Sequence, residues 1–411
     1  MSESFQDRLR RYARLAVRVG VNVQPGQELI VGADVGEVEF VRLVTEEAYR
    51  AGAKNVFAFY SDEPSTLIRF DQGSDEAIAY SPQWFSDALA DNVRAGGSFL
   101  RVYGANPALL KNVPPEKVAV AGRAQAVANA KFSEINATMA ANWSIVAHAS
   151  PGWAQAVFPD LSADAAVQKL WEAIFACTCV DTPDPVKAWN DHAAQIEQRR
   201  DALNAMDLTT LHFKSPGTDL RVGLAEGHKF AGGRVKTGGG IVCSPNIPTE
   251  EVFTMPHKDR VDGVVRSTKA LSLRGNMIDG IEMKFEGGKV LAAKATAGEE
   301  VLNGLLDTDE GARRLGEVAL VPNSSRVSRA NMLFLNTLYD ENAACHIAVG
   351  QALTENLSGG KEMSAEERQS HGMNSSMIHI DWMIGSGETD LDGTTADGST
   401  IPLMRSGEWA F

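Results

Sequence analysis

The segment Met377–Ser386, MIHIDWMIGS, carries an imidazole and a carboxylate two residues apart in an otherwise apolar stretch. In a β-strand successive side chains alternate between faces, so His379 and Asp381 would point to one side and Ile380 to the other. Imidazole and carboxylate groups together are ligands of Zn²⁺, Co²⁺ and Mn²⁺. A half-exposed strand with two polar residues in water fits the same pattern, so a metal site requires a second group of such residues.

Three further segments of the C-terminal half hold residues of the same types. Glu317 lies in the apolar run LGEVALV, and a carboxylate in a buried strand is costly unless a cation is paired with it. The other candidates are Glu250, Glu251, Asp340, Glu341 and His346. A set of more than four such ligands suits a pair of divalent cations.

Each of these candidates also has a purely structural interpretation. Glu250 and Glu251 would form a solvated pair, of which a strand directs only one to a given side. Asp340 and Glu341 would favour the N-terminal end of a helix that follows them. His346 would be a hydrogen-bonded histidine of the core. The residues alone leave these interpretations and the metal site equally open.

Helical and strand patterns alternate over the first 200 residues. A helical stretch from Ser162 to Met206, interrupted near DTPDP, ends this region. Strands are predicted in GQELIVGAD, KNVFAFYSD, SFLRVYGA and WSIVAHAS. The β-α-β order predicts a mainly parallel sheet covered by helices.

The pattern changes after about residue 207. Short alternating runs separated by turn signals such as SPGTD and EGGK predict antiparallel strands with a few helices. A chain of 411 residues is also too long for one typical core. We therefore predict an α/β N-terminal domain over residues 1–200 and an α+β C-terminal domain over residues 201–411 that carries the metal site.

The composition argues against several classes of function. A net charge of −14 without any basic tract argues against nucleic-acid binding. We expect neither a membrane-spanning helix nor a signal peptide. The four scattered cysteines are expected to be reduced. Together these expectations predict a cytoplasmic protein. The Gly-rich segment AGGRVKTGGG matches no phosphate-binding fingerprint, so we expect a turning loop there.

Five segments resemble, in sequence and in order, the motifs of the thermophilic metalloaminopeptidase family, and they cover most of residues 207–392. These segments are SPGTDLRVGL, NIPTEEVFT, LGEVALVP, LYDENAACHIAVGQA and HIDWMIGS. The resemblance implies an α/β N-terminal domain and a C-terminal domain that holds two divalent metal ions. It also implies an aminopeptidase with peptide substrates that assembles as a homodimer.

The resemblance carries a set of site residues onto this sequence, and it favours Glu251 over Glu250. The implied metal-site residues are Glu251, Glu317, Glu341, His346, His379 and Asp381. We expect two ions of Zn²⁺, Co²⁺ or Mn²⁺ per chain to activate a water molecule, and a carboxylate that is not fully used in coordination to act as general base. Glu341 is the candidate base, with metal ligation as its alternative, and Glu317 is the second residue assigned to catalysis.

One position departs from the family's pattern. Seven residues after His346 the family usually has a Tyr, whereas this chain has Leu353, which on a helix would lie two turns further on. A leucine offers no donor to a reacting oxygen. Two other functions therefore stay open, namely a related metal-dependent amidohydrolase with a narrow non-peptide substrate and a metal-binding module without turnover.

Overall fold

The computed structural model describes residues 4–273 and 275–411, apart from the side chains of residues 134, 136 and 137. Contacts between Cα atoms divide the chain into two compact units. Unit 1 comprises Met1–His192 and Arg234–Pro248, and unit 2 comprises Ala193–Gly233 and Thr249–Phe411. The segment 234–248 is thus grouped with unit 1, although the sequence pattern put it after the boundary at residue 200. That the units correspond to the two predicted domains stays a prediction.

Most of the helices belong to unit 1. The helices are α1 (Phe5–Leu15), α2 (Val38–Arg50), α3 (Glu63–Gln72), α4 (Asp75–Ile78), α5 (Gln83–Arg94), α6 (Pro115–Ala137), α7 (Pro151–Val157), α8 (Ala163–Cys177), α9 (Pro185–Ala205), α10 (Glu299–Leu306), α11 (Arg326–Arg329), α12 (Thr337–Asp340) and α13 (Ala365–Ser370). In the described part of the chain, none of them is both long and apolar enough to cross a lipid bilayer.

Strands dominate unit 2. The strands are β1 (Glu28–Asp34), β2 (Asn55–Ser61), β3 (Ser98–Tyr103), β4 (Trp143–Ala147), β5 (Leu208–Ser215), β6 (Thr218–Leu224), β7 (Val235–Lys236), β8 (Val242–Cys243), β9 (Asn246–Ile247), β10 (Val252–Thr254), β11 (Pro256–Arg266), β12 (Leu271–Leu273), β13 (Asn276–Ile278), β14 (Glu282–Glu286), β15 (Lys289–Lys294), β16 (Leu315–Leu320), β17 (His346–Gly350), β18 (His379–Met383), β19 (Asp390–Thr395), β20 (Thr400–Arg405) and β21 (Glu408–Trp409).

Unit 1 is built on a five-stranded parallel sheet with the strand order β2-β1-β3-β4-β9. Helices of ten or more residues connect β1 to β2, β2 to β3 and β3 to β4, as the β-α-β pattern of the sequence predicts. The parallel sheet with helices is therefore confirmed. The last strand, β9, follows the Gly-rich segment AGGRVKTGGG in the sequence. A turning loop is expected there, and the structure places the two-residue strand β7 within it.

Unit 2 contains an eight-stranded antiparallel sheet in the order β15-β14-β11-β6-β5-β19-β20-β21. Its first hairpin follows the predicted turn SPGTD, since Ser215 pairs with Thr218 across Pro216 and Gly217. Gly217 has φ +83°, a conformation that a residue without Cβ adopts readily. The expectation of a part rich in antiparallel strands is confirmed.

A second antiparallel sheet of unit 2 has the order β10-β16-β17-β18. One of its faces, which includes Val318, Ile347 and Trp382, belongs to the same hydrophobic core as side chains of the eight-stranded sheet. Because side chains alternate along a strand, the neighbouring residues Glu317 and His346 lie on the opposite face. This second face is where the sequence-predicted site residues lie.

A buried acid and a largely buried base face each other in unit 1. Glu37 follows β1 and His148 follows β4, and Glu37 Oε1 lies 4.0 Å from His148 Nδ1. Neither atom has a hydrogen-bond partner among the described residues. Burial raises the pKa of Glu37 to about 7 and lowers the pKa of His148 to about 4. Both side chains are therefore neutral in weakly acidic solution.

The two shifts act on stability in opposite directions. Glu37 contributes stability that is lost as the pH rises from its unfolded-state pKa of about 4.5 through about 7, whereas His148 contributes stability that is lost as the pH falls from about 6.5 through about 4. We predict that Glu37→Gln removes the first contribution, so that its free energy of unfolding falls relative to wild type as the pH is lowered from about 7 to about 5, by up to about 3 kcal/mol.

Urea unfolding of both proteins across this pH range measures the difference. Glu39→Gln, at an exposed position of α2, is the matched control and should run parallel to wild type. A constant offset between E37Q and wild type at all pH values would contradict the assignment.

Candidate metal centre

Glu317 lies in a strand that is otherwise entirely apolar and buried. Every residue of β16 is buried, and Glu317 itself is 5% exposed. The residue before it is Gly316, where a Cβ would lie 2.3 Å from the carbonyl oxygen of Gln351. Only a glycine allows this approach, which brings the end of β17 against the start of β16.

Strand register places the other residues beside Glu317. Glu317 pairs with Ala348 of β17, and Ala348 pairs with Asp381 of β18. His346 and His379 each lie two residues before one of these partners, so all four polar side chains share one face of the sheet. The small side chain of Ala348 separates the two carboxylates.

The imidazoles and carboxylates approach closely. His346 Nε2 lies 3.0 Å from Glu251 Oε2 and 3.6 Å from Glu317 Oε1. His379 Nε2 lies 3.7 Å from Glu317 Oε2 and 3.3 Å from Asp381 Oδ1. Ligand atoms of Glu251, Glu317 and His346 lie within 4.8 Å of one another, and so do those of Glu317, His379 and Asp381. The structure thus brings five of the six predicted residues into two groups that share Glu317.

Backbone carbonyl groups orient both histidines. Nδ1 of His346 lies 3.1 Å from the carbonyl oxygen of Ala344, and Nδ1 of His379 lies 2.7 Å from that of Gln351. A carbonyl oxygen only accepts hydrogen bonds, so each Nδ1 carries the hydrogen and donates it. Each Nε2 is then left facing the carboxylates, which is the usual arrangement of a metal-binding histidine.

The buried carboxylate oxygens provide a test of whether a cation fits. Glu251 Oε2 and Asp381 Oδ1 are buried and make no hydrogen bond to the described residues. An unpaired buried carboxylate is costly, and a neutral imidazole would direct a lone pair at it. Oxygen and imidazole donors of this kind suit Zn²⁺, Co²⁺ or Mn²⁺. The residues present therefore fit divalent cations.

Burial and mutual charge shift the pKa of each group. Burial raises the pKa of Glu317 to about 7, against the hydrogen-bonding effect of His346. Burial alone would lower the pKa of both histidines, but Glu251 and Glu317 raise that of His346 well above its ordinary value, and Asp381 raises that of His379 to about 9. Burial would raise the pKa of Asp381, yet the two imidazoles hold it below its ordinary value. The cluster thus retains protons that a cation would displace.

Glu341, the sixth predicted residue, lies outside both groups. It is half-buried and begins a short 3₁₀ turn, Glu341–Ala343. Burial, followed by the negative charges of Glu251 and Asp381, raises the pKa of Glu341 well above its ordinary value. The carboxyl group therefore lies near enough to the cluster to sense its charge and is suited to hold a proton.

The helix expected after Asp340 and Glu341 is wrong. The chain turns at Glu341–Ala343 and enters β17 at His346, so Leu353 follows the end of a strand and does not lie on a helical face. The apolar residues around His346 suit a helix or a buried strand equally, and pairing with β16 and β18 decides between them.

Glu250 and Asp340 are buried but make hydrogen bonds to backbone groups outside the two ligand groups. Glu250 Oε1 accepts a hydrogen bond of 2.8 Å from the N–H of Arg326. Asp340 accepts hydrogen bonds from the N–H groups of Phe334 and Asn336, at 2.7 and 2.9 Å. The expectation that Glu250 and Glu251 lie in a strand and point to opposite sides is wrong. Both residues precede β10, and both are buried. Their partners distinguish them instead.

Two buried polar residues near Glu341 were not singled out from the sequence. Asn342 is 0% exposed and Ser325 is 3% exposed. The one available signal is an amide inside the otherwise apolar run that follows Glu341, which indicates a buried hydrogen-bonding role. Its partners Glu250 and Ser325 lie in other segments of the chain and have no local pattern.

Comparison with known proteins gives consistent matches over the whole chain. The family profile described as thermophilic metalloprotease (M29) matches residues 5–409. Aminopeptidase T of Thermus thermophilus is 48% identical over 407 residues, 99% of each chain, and aminopeptidase 2 of Geobacillus stearothermophilus is 46% identical over 407 residues, 99% of this chain and 98% of that protein. The solved structure of wild-type AmpT from Thermus thermophilus is 47% identical, with a TM-score of 0.95 over 99% of this chain and 100% of that one.

We predict that Glu317→Gln loses metal affinity far more than Glu250→Gln. Glu317 belongs to both candidate ligand groups, whereas Glu250 accepts a backbone hydrogen bond that a glutamine oxygen also accepts. The loss in E317Q should exceed the roughly 10- to 100-fold typical of losing an outer partner of a metal ligand. Competition between each protein and a chromogenic chelator for Co²⁺ measures the affinities, and equal losses in the two variants would exclude Glu317 as the shared ligand.

Proposed function

Because this chain belongs to the thermophilic metalloprotease (M29) family and is a metal-dependent aminopeptidase, we propose that its catalytic centre holds two divalent cations in unit 2. The observation that carries the proposal is that two groups of three potential ligands share one carboxylate, Glu317. Peptides are the substrates, and the reaction is hydrolysis of the bond that follows the N-terminal residue.

Each cation would be held by three side chains, of which Glu317 is common to both sets. Glu251, Glu317 and His346 would hold one, and Glu317, His379 and Asp381 would hold the other. Three protein ligands for each ion leave positions for water and substrate, as is typical of catalytic sites. The cations are proposed to be Zn²⁺, Co²⁺ or Mn²⁺, which accept overlapping sets of carboxylate and imidazole ligands.

The cations supply one element of the chemistry, because a divalent ion lowers the pKa of a bound water and polarises a carbonyl group. Glu341 is proposed as the general base, since it lies outside both ligand groups and its pKa is raised by burial and by neighbouring carboxylates. It would take a proton from the attacking water and return it to the departing amine. Metal ligation remains the alternative role for this residue.

Glu317 is proposed to act in catalysis through its position between the two groups. Its carboxyl oxygens face different histidines, with Oε1 towards His346 and Oε2 towards His379. One rigid side chain on a fully buried strand would therefore keep both ion sites at a constant separation. The histidine tautomers, held by Ala344 and Gln351, support the same arrangement.

The two other functions left open by the sequence receive less support. The similarity to aminopeptidases extends over the whole chain and does not favour a non-peptide amide or a module without turnover. The family's tyrosine position, occupied by Leu353, follows β17 directly. We propose that activity on peptides does not depend on a hydroxyl at this position.

We also propose that the protein is a cytoplasmic homodimer. The four cysteines are buried and free of disulfides, as expected for a reducing compartment. The homodimer rests on the family resemblance. Light scattering should return about twice the 44.2 kDa of one chain, and a mass near one chain would contradict the dimer.

Metal reconstitution tests the paired centre. Protein stripped with a chelator should have no activity on aminoacyl amides or dipeptides, because no side chain replaces the cations in activating water. On titration with Co²⁺, Zn²⁺ or Mn²⁺, metal content should approach two equivalents per chain, and activity should follow it. A plateau at one equivalent with full activity would refute the two-ion proposal and leave a single-ion aminopeptidase.

A further inference from the structure

Three segments of unit 2 are joined by a closed ring of hydrogen bonds beside the candidate metal centre. Asn342 Oδ1 accepts from the N–H of Glu250 at 2.7 Å, and Glu250 Oε1 accepts from the N–H of Arg326 at 2.8 Å. Ser325 Oγ completes the ring by donating to the carbonyl oxygen of Asn342 at 3.1 Å. In each of the three segments, one side chain is thus hydrogen-bonded to a backbone group of another segment. We call this arrangement the Glu250–Ser325–Asn342 ring.

The ring is shielded from water, and its orientation is determined. The side chains of Glu250, Ser325 and Asn342 belong to residues that are 6%, 3% and 0% exposed. Asn342 Nδ2 donates to the carbonyl oxygen of Leu338 at 3.0 Å. If the amide were inverted, Nδ2 would face the N–H of Glu250 and Oδ1 would face the carbonyl oxygen of Leu338. Neither pair could form a hydrogen bond, so the side chain has one favourable orientation. Buried polar groups that are fully paired in this way make a local structure rigid.

The ring is covalently connected to two carboxylates of the candidate centre. Glu250 precedes Glu251, and Asn342 follows Glu341. The hydrogen bond between Glu250 and Asn342 therefore ties together two backbone segments that are 92 residues apart and that carry one carboxylate each. Among the described residues, no hydrogen bond between the side chains of Glu251 and Glu341 sets their spacing.

We infer that Asn342 and Ser325 are positioning residues, which fix the spacing of Glu251 and Glu341 through the Glu250–Ser325–Asn342 ring. This inference rests on the proposed roles of Glu251 as a ligand and Glu341 as a base. Without the ring, each carboxylate retains its own chemistry but not its place relative to the other. Metal binding and proton transfer should then be impaired together.

Asn342→Leu is the principal test, since leucine is similar in size and removes every hydrogen bond of the amide, including a long one of 3.5 Å from Nδ2 to Glu341 Oε1. Asn142→Leu is the matched control, because Asn142 is also 0% exposed, donates to the carbonyl oxygen of Val21 at 2.8 Å, accepts from Gln27 at 2.7 Å and belongs to unit 1. Both substitutions leave buried backbone groups without partners and should lower the midpoint of urea unfolding of the metal-free protein. Only Asn342→Leu should alter the metal centre.

Co²⁺ alone serves as the probe. Competition with a chelator should show an affinity for Co²⁺ that is about 10- to 100-fold weaker in N342L than in wild type, with a changed visible absorption spectrum of the bound ion. N142L should retain the affinity and the spectrum of wild type. In N342L reconstituted to full occupancy, kcat should fall more than KM rises, because Glu341 is misplaced for proton transfer. Wild-type affinity and spectrum in N342L would overturn the inference.

A second pair of variants applies if N342L does not fold. Ser325→Ala removes the hydroxyl that donates to Asn342 and that also accepts from the N–H of Ser328, and Ser325→Thr retains a hydroxyl. We expect S325A to weaken Co²⁺ binding and S325T to restore it. Equal Co²⁺ affinities in S325A and S325T would overturn the inference.

The result is separable from that for the proposed centre. If E317Q binds Co²⁺ as tightly as wild type, the proposed ligand set is wrong. If E317Q loses Co²⁺ while N342L and S325A both bind it normally, the ligand set stands and the positioning role of the ring is excluded.

Discussion

The repulsion among buried carboxylates is the constraint on which the rest of unit 2 depends. Glu251, Glu317 and Asp381 bring their oxygens against the same two imidazoles at distances of 3.0 to 3.7 Å. Two like charges about 4 Å apart repel each other by about 4 kcal/mol at the effective dielectric constant near a protein surface, and burial adds the cost of lost hydration. Such a cluster is stable only with compensating positive charge, from protonated imidazoles or from cations.

Much of the surrounding structure limits how this cluster can relax. Glu317 is held in a fully buried strand, and its neighbour Gly316 allows β17 to come close. The carbonyl groups of Ala344 and Gln351 prevent the imidazoles from turning away. A flexible cluster would separate its charges and lose affinity for a cation. The apolar core on the other face of the sheet therefore supports the chemistry as well as the fold.

Strand alternation is the part of the site that was most accessible from the sequence. The pattern of His379, Ile380 and Asp381 predicts two polar side chains on one face, and the structure buries Ile380 on the other. Glu317 was identified by the cost of a charge in an apolar run, which is a local property. The β-α-β pattern likewise predicted the parallel sheet, because each strand and helix is long enough to show its own period.

Features that depend on distant partners were not predictable. The difference between Glu250 and Glu251 arises from the N–H of Arg326, which is 76 residues away, and from His346. The run around His346 fits a helix as well as a strand, and pairing with β16 and β18 decides its conformation. The two-residue strand β9 is too short to show any period. In each case tertiary contacts, and not local propensity, determine the structure.

The division of the four-stranded sheet into a charged face and an apolar face also protects the pairing of its strands. A slip of β17 by one residue would turn His346 into the hydrophobic core and Ile347 towards the carboxylates. Such a misaligned sheet would bury an unpaired imidazole and, at the same time, strip Glu317 of its counter-charge. Core packing and electrostatics thus select the same alignment, so competing pairings are unfavourable on two independent grounds. A different ion geometry could therefore arise by exchanging side chains at fixed positions, but not by sliding one strand past another.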